Sequence, residues 1–221
     1  MNRPGDAATI IYVVDDDVYV RQGLENLLQS VGLQVETFVS VDEFLKRVRP
    51  ESLGCLVLDV RLPGLNGLDF QVELKKSNIN MPVVFISGHG DIPMTVRAMK
   101  AGAVEFLTKP IREQDFLDAV RVALDRDRTQ RNTARIAAEL RARFESLTAR
   151  EREVVALVTS GKLNKQVAAD IGVSEVTVKV NRRNAMKKLG ARSLADLVRI
   201  VDSVSARTQG KGHESRTSHQ G

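Results

Sequence analysis

Four apolar runs in this chain each end in a polar group of a different kind. TIIYVV (residues 9–14) is followed by Asp15, Asp16 and Asp17, and CLVL (55–58) by Asp59. VVFI (83–86) runs into Ser87, and VEFL (104–107), one residue on, meets Lys109 and Pro110. Short, near-continuous apolar runs read as strands buried on both faces, the kind found in parallel sheets covered by helices. In an open sheet of that kind, ligands bind outside the carboxyl ends of the strands. Carboxylates, a hydroxyl and an ammonium are all expected at that one edge.

The pattern between these runs completes the fold class. After the first strand, Val18, Leu24, Leu27, Leu28 and Val31 fall at helical spacing, and Gly32 stops the helix. The alternation continues with strands near 34–38, 54–59, 82–87 and 104–107 and helices at 42–48, 67–76, 93–101 and from 113. Five βα units with short connections predict a five-stranded parallel (βα)5 sheet, doubly wound as in flavodoxin-like folds. From Phe116 the helical pattern runs without Gly or Pro to the Ser146-Leu147-Thr148 segment. It reads as one long helix or as two with a break near Arg131-Asn132. It serves either as a semi-rigid linker with a coiled-coil stripe or as an ordinary last helix plus linker.

A second, all-helical domain follows. Thr148 and Glu151 form a capping-box pair, Gly161 closes the first helix, and 164–171 form a short second one. Gly172-Val173 make a turn, Ser174 caps a third helix through Leu189, and Ser193 caps a fourth. The expected domains are 1–124, a helical linker 125–146, a helical domain 147–206, and a disordered tail 207–221 in which His213 and His219 are solvated. The fold class is therefore α/β plus all-α.

Charge is divided along the chain. Residues 1–124 carry a net −4, whereas residues 147–221 carry a net +7 within an overall +5. A basic C-terminal end points to an anionic partner there. The single cysteine, Cys55, excludes an intrachain disulfide and fits a reducing cytosol. No apolar run approaches the ~18 residues of a membrane span, and a cytoplasmic protein is expected.

At the acidic edge, Asp59 stands alone at its strand end and is the best nucleophile. A carboxylate attacking a phosphoryl donor gives an aspartyl-phosphate. Mg²⁺ (or Mn²⁺) takes one or two carboxylates, a phosphate oxygen and waters, and it would offset repulsion between two anions. Asp16, with Asp15 behind it, would hold the metal; Ser87 would donate to a phosphoryl oxygen, and Lys109 would neutralise its charge. Each residue alone reads as a turn former or surface charge, so the joint spacing carries the argument. A dinucleotide site is excluded because Asp15-Asp16-Asp17 stands where a Gly-rich turn belongs. A phosphatase of the haloacid dehalogenase type wants an Asp two residues past the nucleophile, where this chain has Arg61.

VVDDD, LVLDVRLPGLNG, VVFISGHGD and AGAVEFLTKP resemble the signatures of CheY-like receiver domains of two-component response regulators over residues 9–124. The resemblance implies Asp59 as phosphoacceptor and Asp16 and the backbone carbonyl of Arg61 as metal ligands. It also implies Asp15 as a further acid of the metal site, Ser87 and Phe106 as the switch pair, and Lys109 as the phosphate-binding lysine. Lys109-Pro110 resembles a bond that is cis in the family. His89 is assigned to loop packing.

LTAREREV, NKQVAADIGVSEVTVKVNRRNAMKKLG and SLADLVRIV (within 147–204) resemble the LuxR/FixJ-type helix-turn-helix DNA-binding domain. In the third helix Val178, Ala185, Met186 and Leu189 should pack inward. Lys179, Val180 and Arg183 form an outer group, flanked by Arg182, Lys187 and Lys188. A helix of about fifteen residues is roughly 22 Å long, enough to cross a major groove. Arg183 and Lys179 would read guanine edges and Val180 a thymine methyl. Lys165, Thr177 and Lys188 would grip phosphates. Asn181 departs from the histidine usual in the family.

The two halves together imply a phosphorylation-dependent transcriptional regulator, an activator more than a repressor. It would be phosphorylated by a sensor histidine kinase and bind double-stranded promoter DNA as a homodimer. It would have no enzyme activity beyond Mg-dependent phosphorylation and dephosphorylation of Asp59. The competing reading is a phosphorylation-switched regulator whose helical domain binds a protein.

Overall fold

The computed structural model describes residues 9–77, 79–88 and 91–210. The chain divides into two compact units between Arg131 and Asn132. The strands of the first unit are β1 (Ile10–Val14), β2 (Gln34–Phe38), β3 (Gly54–Asp59), β4 (Arg61–Leu62), β5 (Leu65–Asn66), β6 (Val83–Ser87) and β7 (Glu105–Thr108). Five of them form a parallel sheet in the order β2-β1-β3-β6-β7. From β1 the chain steps outward to β2, then returns past β1 to β3. The order therefore reverses beside β1, the switch point at which such sheets open a crevice.

Alternation along the central strands builds two cores. Tyr12, Leu56, Leu58 and Phe85 face one side, with Phe44 of α2 (Val41–Arg47) and Phe70 and Leu74 of α3 (Gly67–Lys76). Ala98 of α4 (Ile92–Lys100) joins them. Ile11, Val13, Val57 and Val84 face the other, against Leu24 and Leu28 of α1 (Val18–Ser30) and Phe116 and Val120 of α5 (Glu113–Glu145). Helices on both faces make every residue of β1, β3 and β6 buried, which explains their unbroken apolar sequence. The five-stranded doubly wound architecture is the one expected.

A two-residue antiparallel hairpin, β4 with β5, follows Asp59, where the sequence pattern predicts no strand. Pro63-Gly64 turns it, with Gly64 at φ +77°, the left-handed conformation that a Pro-Gly turn requires of its glycine. Two-residue strands leave no periodic trace in a sequence.

The helix starting at Glu113 runs unbroken to Glu145, with no break at Arg131-Asn132. Its exposed side chains pair at helical spacing, Arg128 with Asp125 and Arg135 with Glu139. On its buried side Asp127 accepts from the Gly54 backbone N–H and from Arg131 Nε, while Arg131 Nη2 reaches the Pro50 carbonyl.

The second unit holds α6 (Ala149–Thr159), α7 (Asn164–Asp170), α8 (Glu175–Leu189) and α9 (Leu194–Gly210). Thr148 and Glu151 exchange both capping-box hydrogen bonds. Ser174 caps α8, and Ser193 accepts from the Asp196 N–H. Gly172 and Gly190 adopt positive φ at the turns on either side of α8. Two small cores form around Leu147, Val155, Ala185, Leu189 and Leu197, and around Val154, Val158, Val167 and Val178. α9 continues to Gly210, past the point where a tail was expected; His213 and His219 lie outside the described residues.

Candidate functional site

The crevice beside β1 gathers the residues named from sequence. Asp15 follows β1 and is fully buried, and Asp59 ends β3 and is nearly so. Lys109, just past β7, spans the two, with Nζ 2.6 Å from Asp15 Oδ2 and 2.7 Å from Asp59 Oδ2. Asp16 is exposed beside them, and carboxylate oxygens of Asp15, Asp16 and Asp59 lie within 4.8 Å of one another. An all-oxygen donor set with one open, solvated side suits a hard divalent cation that keeps several waters.

The electrostatics follow from burial. Desolvation raises the pKa of Asp15; hydrogen bonds from Lys109 and from the Asp17 N–H oppose it, and the Asp59 carboxylate adds to it. Burial works against the Lys109 ammonium. The hydrogen bonds and charges of Asp15 and Asp59 together outweigh it, and the Lys109 pKa is raised. The cation that would otherwise be costly here is held by the anions it separates.

Local backbone fixes these side chains. The Arg61 N–H donates to Asp59 Oδ1 at 3.0 Å. Gly67 donates to the Val60 carbonyl at 2.9 Å, and a Cβ at Gly67 would sit 2.6 Å from the Asp59 carbonyl oxygen. Only glycine allows that approach. Ser87 is fully buried at the end of β6, and its carbonyl accepts from the Lys109 N–H at 2.8 Å. The Lys109–Pro110 bond is cis. Phe106 is turned inward, its ring 6.3 Å from that of Phe85. His89 falls outside the described residues.

Two further residues, to which the sequence motifs assign no role, shape the acidic loop. Asp17, third of the acidic run, caps α1 by accepting from the Tyr19 and Val20 N–H groups. An aspartate just before a helix was a signal for this in the sequence. Arg21 Nη1 donates to the Asp15 and Asp16 carbonyls at 2.7 and 3.0 Å, holding the acidic loop from behind. No sequence signal distinguishes it from a surface arginine.

In the second unit, α8 buries Val178, Ala185 and Leu189, and Met186 packs beside them, as its spacing predicts. Opposite that face, Val176, Val180, Arg183 and Lys187 are exposed in one line, at spacings of four, three and four residues. Lys179 pairs with Glu175 at 3.1 Å on the surface. Arg182 is half-buried and donates to Asn164 Oδ1 at 3.2 Å. Thr177 is tied to the Ser174 cap, Asn181 donates back to the Thr177 carbonyl, and Lys165 is exposed on α7.

Lys188, expected on phosphate, has its Nζ 2.6 Å from Glu151 Oε2, and it also reaches the Ser146 carbonyl. Glu151 is buried, and its pKa is lowered chiefly by the Lys188 hydrogen bond, against desolvation and with help from Thr148. Lys188 is thus paired with a buried acid while itself partly exposed, about 100° around the helix from Lys187.

Comparison with known proteins agrees with this division. Residues 11–121 match the family model described as the response regulator receiver domain, and residues 145–201 match that of bacterial regulatory proteins, luxR family. Nodulation protein W of Bradyrhizobium diazoefficiens is 55% identical over 195 residues, 88% of this chain and 86% of that one. Response regulator protein TodT of Pseudomonas putida is 49% identical over 197 residues, 89% and 87% of the two chains. The structure of response regulator StyR matches with a TM-score of 0.80 at 51% identity, covering 89% of this chain and 99% of that one. A receiver-type crevice on the first unit and a helix-turn-helix on the second place the chain in the response-regulator family of the LuxR/FixJ type, as a two-component transcriptional regulator.

Proposed function

We propose that Asp59 accepts a phosphoryl group from a phosphohistidine on a sensor histidine kinase, and that this controls binding of promoter DNA by the second unit. A carboxylate oxygen of Asp59 attacks phosphorus, the new P–O bond replaces the P–N bond, and the imidazole leaves. Asp15, Asp16, Asp59 and the Arg61 backbone carbonyl would hold Mg²⁺, which neutralises charge on the transferring group. The Lys109 ammonium moves from the carboxylate pair to a phosphoryl oxygen, and the Ser87 hydroxyl donates to another. The observation that carries this reading is the Lys109 bridge between Asp15 and Asp59 at the sheet's switch point.

Ser87 and Phe106 transmit the change. As Ser87 is drawn to the phosphoryl group, Phe106 rotates and repacks the face formed by α4, β7 and the start of α5. That face already exposes Ile92, Val96 and Met99, an apolar set suited to a second copy of the chain. Pairing brings two helix-turn-helix units to half-sites about one turn apart. Arg183 and Lys179 then read guanine edges, and Val180 a methyl group. Lys165, Thr177 and Lys187 grip phosphates, with Arg182 bracing the helix from its Asn164 contact. Activation of transcription in the cytoplasm is the outcome; no helix among the described residues is long and apolar enough to cross a membrane.

Acetyl phosphate with Mg²⁺ should add one phosphoryl group, read by intact-mass spectrometry, and Asp59→Asn should prevent it. Promoter protection with and without the donor then tests the link to DNA. Labelling of Asp59→Asn at the wild-type level would move the acceptor elsewhere.

A further inference from the structure

Val176 is 68% exposed and Val180 52% exposed, one helical turn apart on the outermost line of α8. Nothing in the folding of the unit accounts for them. Both point away from the buried Val178, Ala185 and Leu189. β-branched residues on a solvated helix surface are poorer helix formers than the Lys, Arg or Glu that could stand there. A single exposed valine needs no explanation. Two in line, continued along the same line by Arg183 and Lys187, make a surface that is apolar at its first half and cationic at its second.

Few ligands present both complements at that spacing. A major groove does: phosphates line its edges, and the 5-methyl groups of thymine are the apolar features of its floor. Four residues of helix advance about 6 Å, and successive bases on a strand lie about 3.4 Å apart. The two valines therefore span about two base steps.

We infer that Val176 is a specificity-determining residue which, in line with Val180, reads 5-methyl groups of pyrimidines within two base steps of each other in each half-site. This rests on the reading that the second unit binds duplex DNA. It adds a position beyond Lys179, Val180 and Arg183, and it assigns the ligand chemistry as a methyl group rather than a hydrogen-bonding edge.

The test uses full-length phosphorylated protein and a duplex selected by it from a randomised pool. Each thymine in the selected half-site is replaced in turn by deoxyuridine, which removes only the methyl group, and affinity is measured by fluorescence anisotropy. Wild type should bind about fourfold more weakly at two such positions, the factor expected for one buried methylene-sized group. Val176→Ala should bind the thymine and deoxyuridine duplexes equally at one of them and keep the preference at the other, where Val180→Ala loses it. Circular dichroism of both variants checks that α8 is intact. Discrimination that survives in Val176→Ala at both positions, or is absent in wild type throughout, overturns the inference while leaving DNA binding in place. Failure to select any duplex overturns the DNA-binding reading itself.

Discussion

Asp127 Oδ2 accepts the backbone N–H of Gly54 at 2.9 Å, joining the first residue of β3 to a helix 73 residues further along the chain. The contact is buried, and Gly54 has no room for a side chain, since a Cβ there would collide with the Ile10 carbonyl. Arg131 closes the cluster by bonding both Asp127 and the Pro50 carbonyl. Asp127→Ala should strand the Gly54 N–H and cost about 1–3 kcal/mol. Asp127→Asn should cost less, because it still offers an oxygen to Gly54. Urea unfolding of the first unit and hydrogen exchange at the Gly54 amide measure both.

Lys109→Ala should leave two buried carboxylates facing each other without a cation. The loss should be severe, approaching the 3–5 kcal/mol typical of a broken buried pair. Added Mg²⁺ should restore much of it by supplying positive charge, so the rise in melting temperature on metal addition should exceed that of wild type. An equal rise in both proteins would mean that Lys109 and the cation do not share the carboxylates. Asp16→Ala should lose most of the metal affinity, read by calorimetry, while leaving the Lys109 bridge intact.

Neighbouring lysines on α8 should behave differently. Lys188→Ala unpairs the buried Glu151 and should destabilise the second unit by about 1–3 kcal/mol, below the cost of a fully buried pair because Lys188 is 37% exposed. Arg183→Ala should leave stability unchanged and cost about 1–3 kcal/mol of affinity at one base position. Thermal melts and binding isotherms of the two variants separate a folding role from a reading role.

The same pair predicts a pH dependence. Glu151 is held below its ordinary value near 4.5, so its contribution to stability is fully present above that value. In the window below it the unfolded chain binds the proton first, and stability falls as pH falls through the folded-state value. Melting temperature followed from neutral pH into that window should drop less steeply in Lys188→Met than in wild type.

Arg112 lies at the start of the face that Ser87 and Phe106 adjoin, exposed and loosely paired with Asp115 at 3.7 Å. Arg112→Glu touches no core residue. It should leave Asp59 labelling intact and reduce both dimer formation and phosphorylation-stimulated DNA binding. Sedimentation of the phosphorylated protein decides it: a monomer that occupies its operator as tightly as before would end the dimer account.

The acidic crevice is legible because the central strands β1, β3 and β6 are apolar up to their carboxyl ends, so the polar residue there marks both the strand end and the sheet edge. The caps of the helical unit were legible for a similar reason, since Thr148, Ser174 and Ser193 act within three residues of themselves. Long-range polar contacts were not. Asp127 looks like any acid on a charged helix until the fold brings Gly54 to it. Lys187 and Lys188 are chemically identical in sequence, and only the direction of Glu151 separates them. The β4–β5 hairpin is too short to show a period, and Arg21 reaches its carbonyls by a geometry that spacing does not encode.

Cys55, the chain's single cysteine, has no accessible surface, and burial with the nearby Asp127 charge pushes its thiol up. A thiolate-seeking reagent finds no nucleophile there. The native chain should thus resist maleimides while folded, so that no cysteine need be removed before labelling. Cysteines introduced at exposed Gln22 and Arg192, one on each unit, would be the sole attachment points for a pair of spin labels or fluorophores. The distance between the units can then be followed as a phosphoryl group comes and goes.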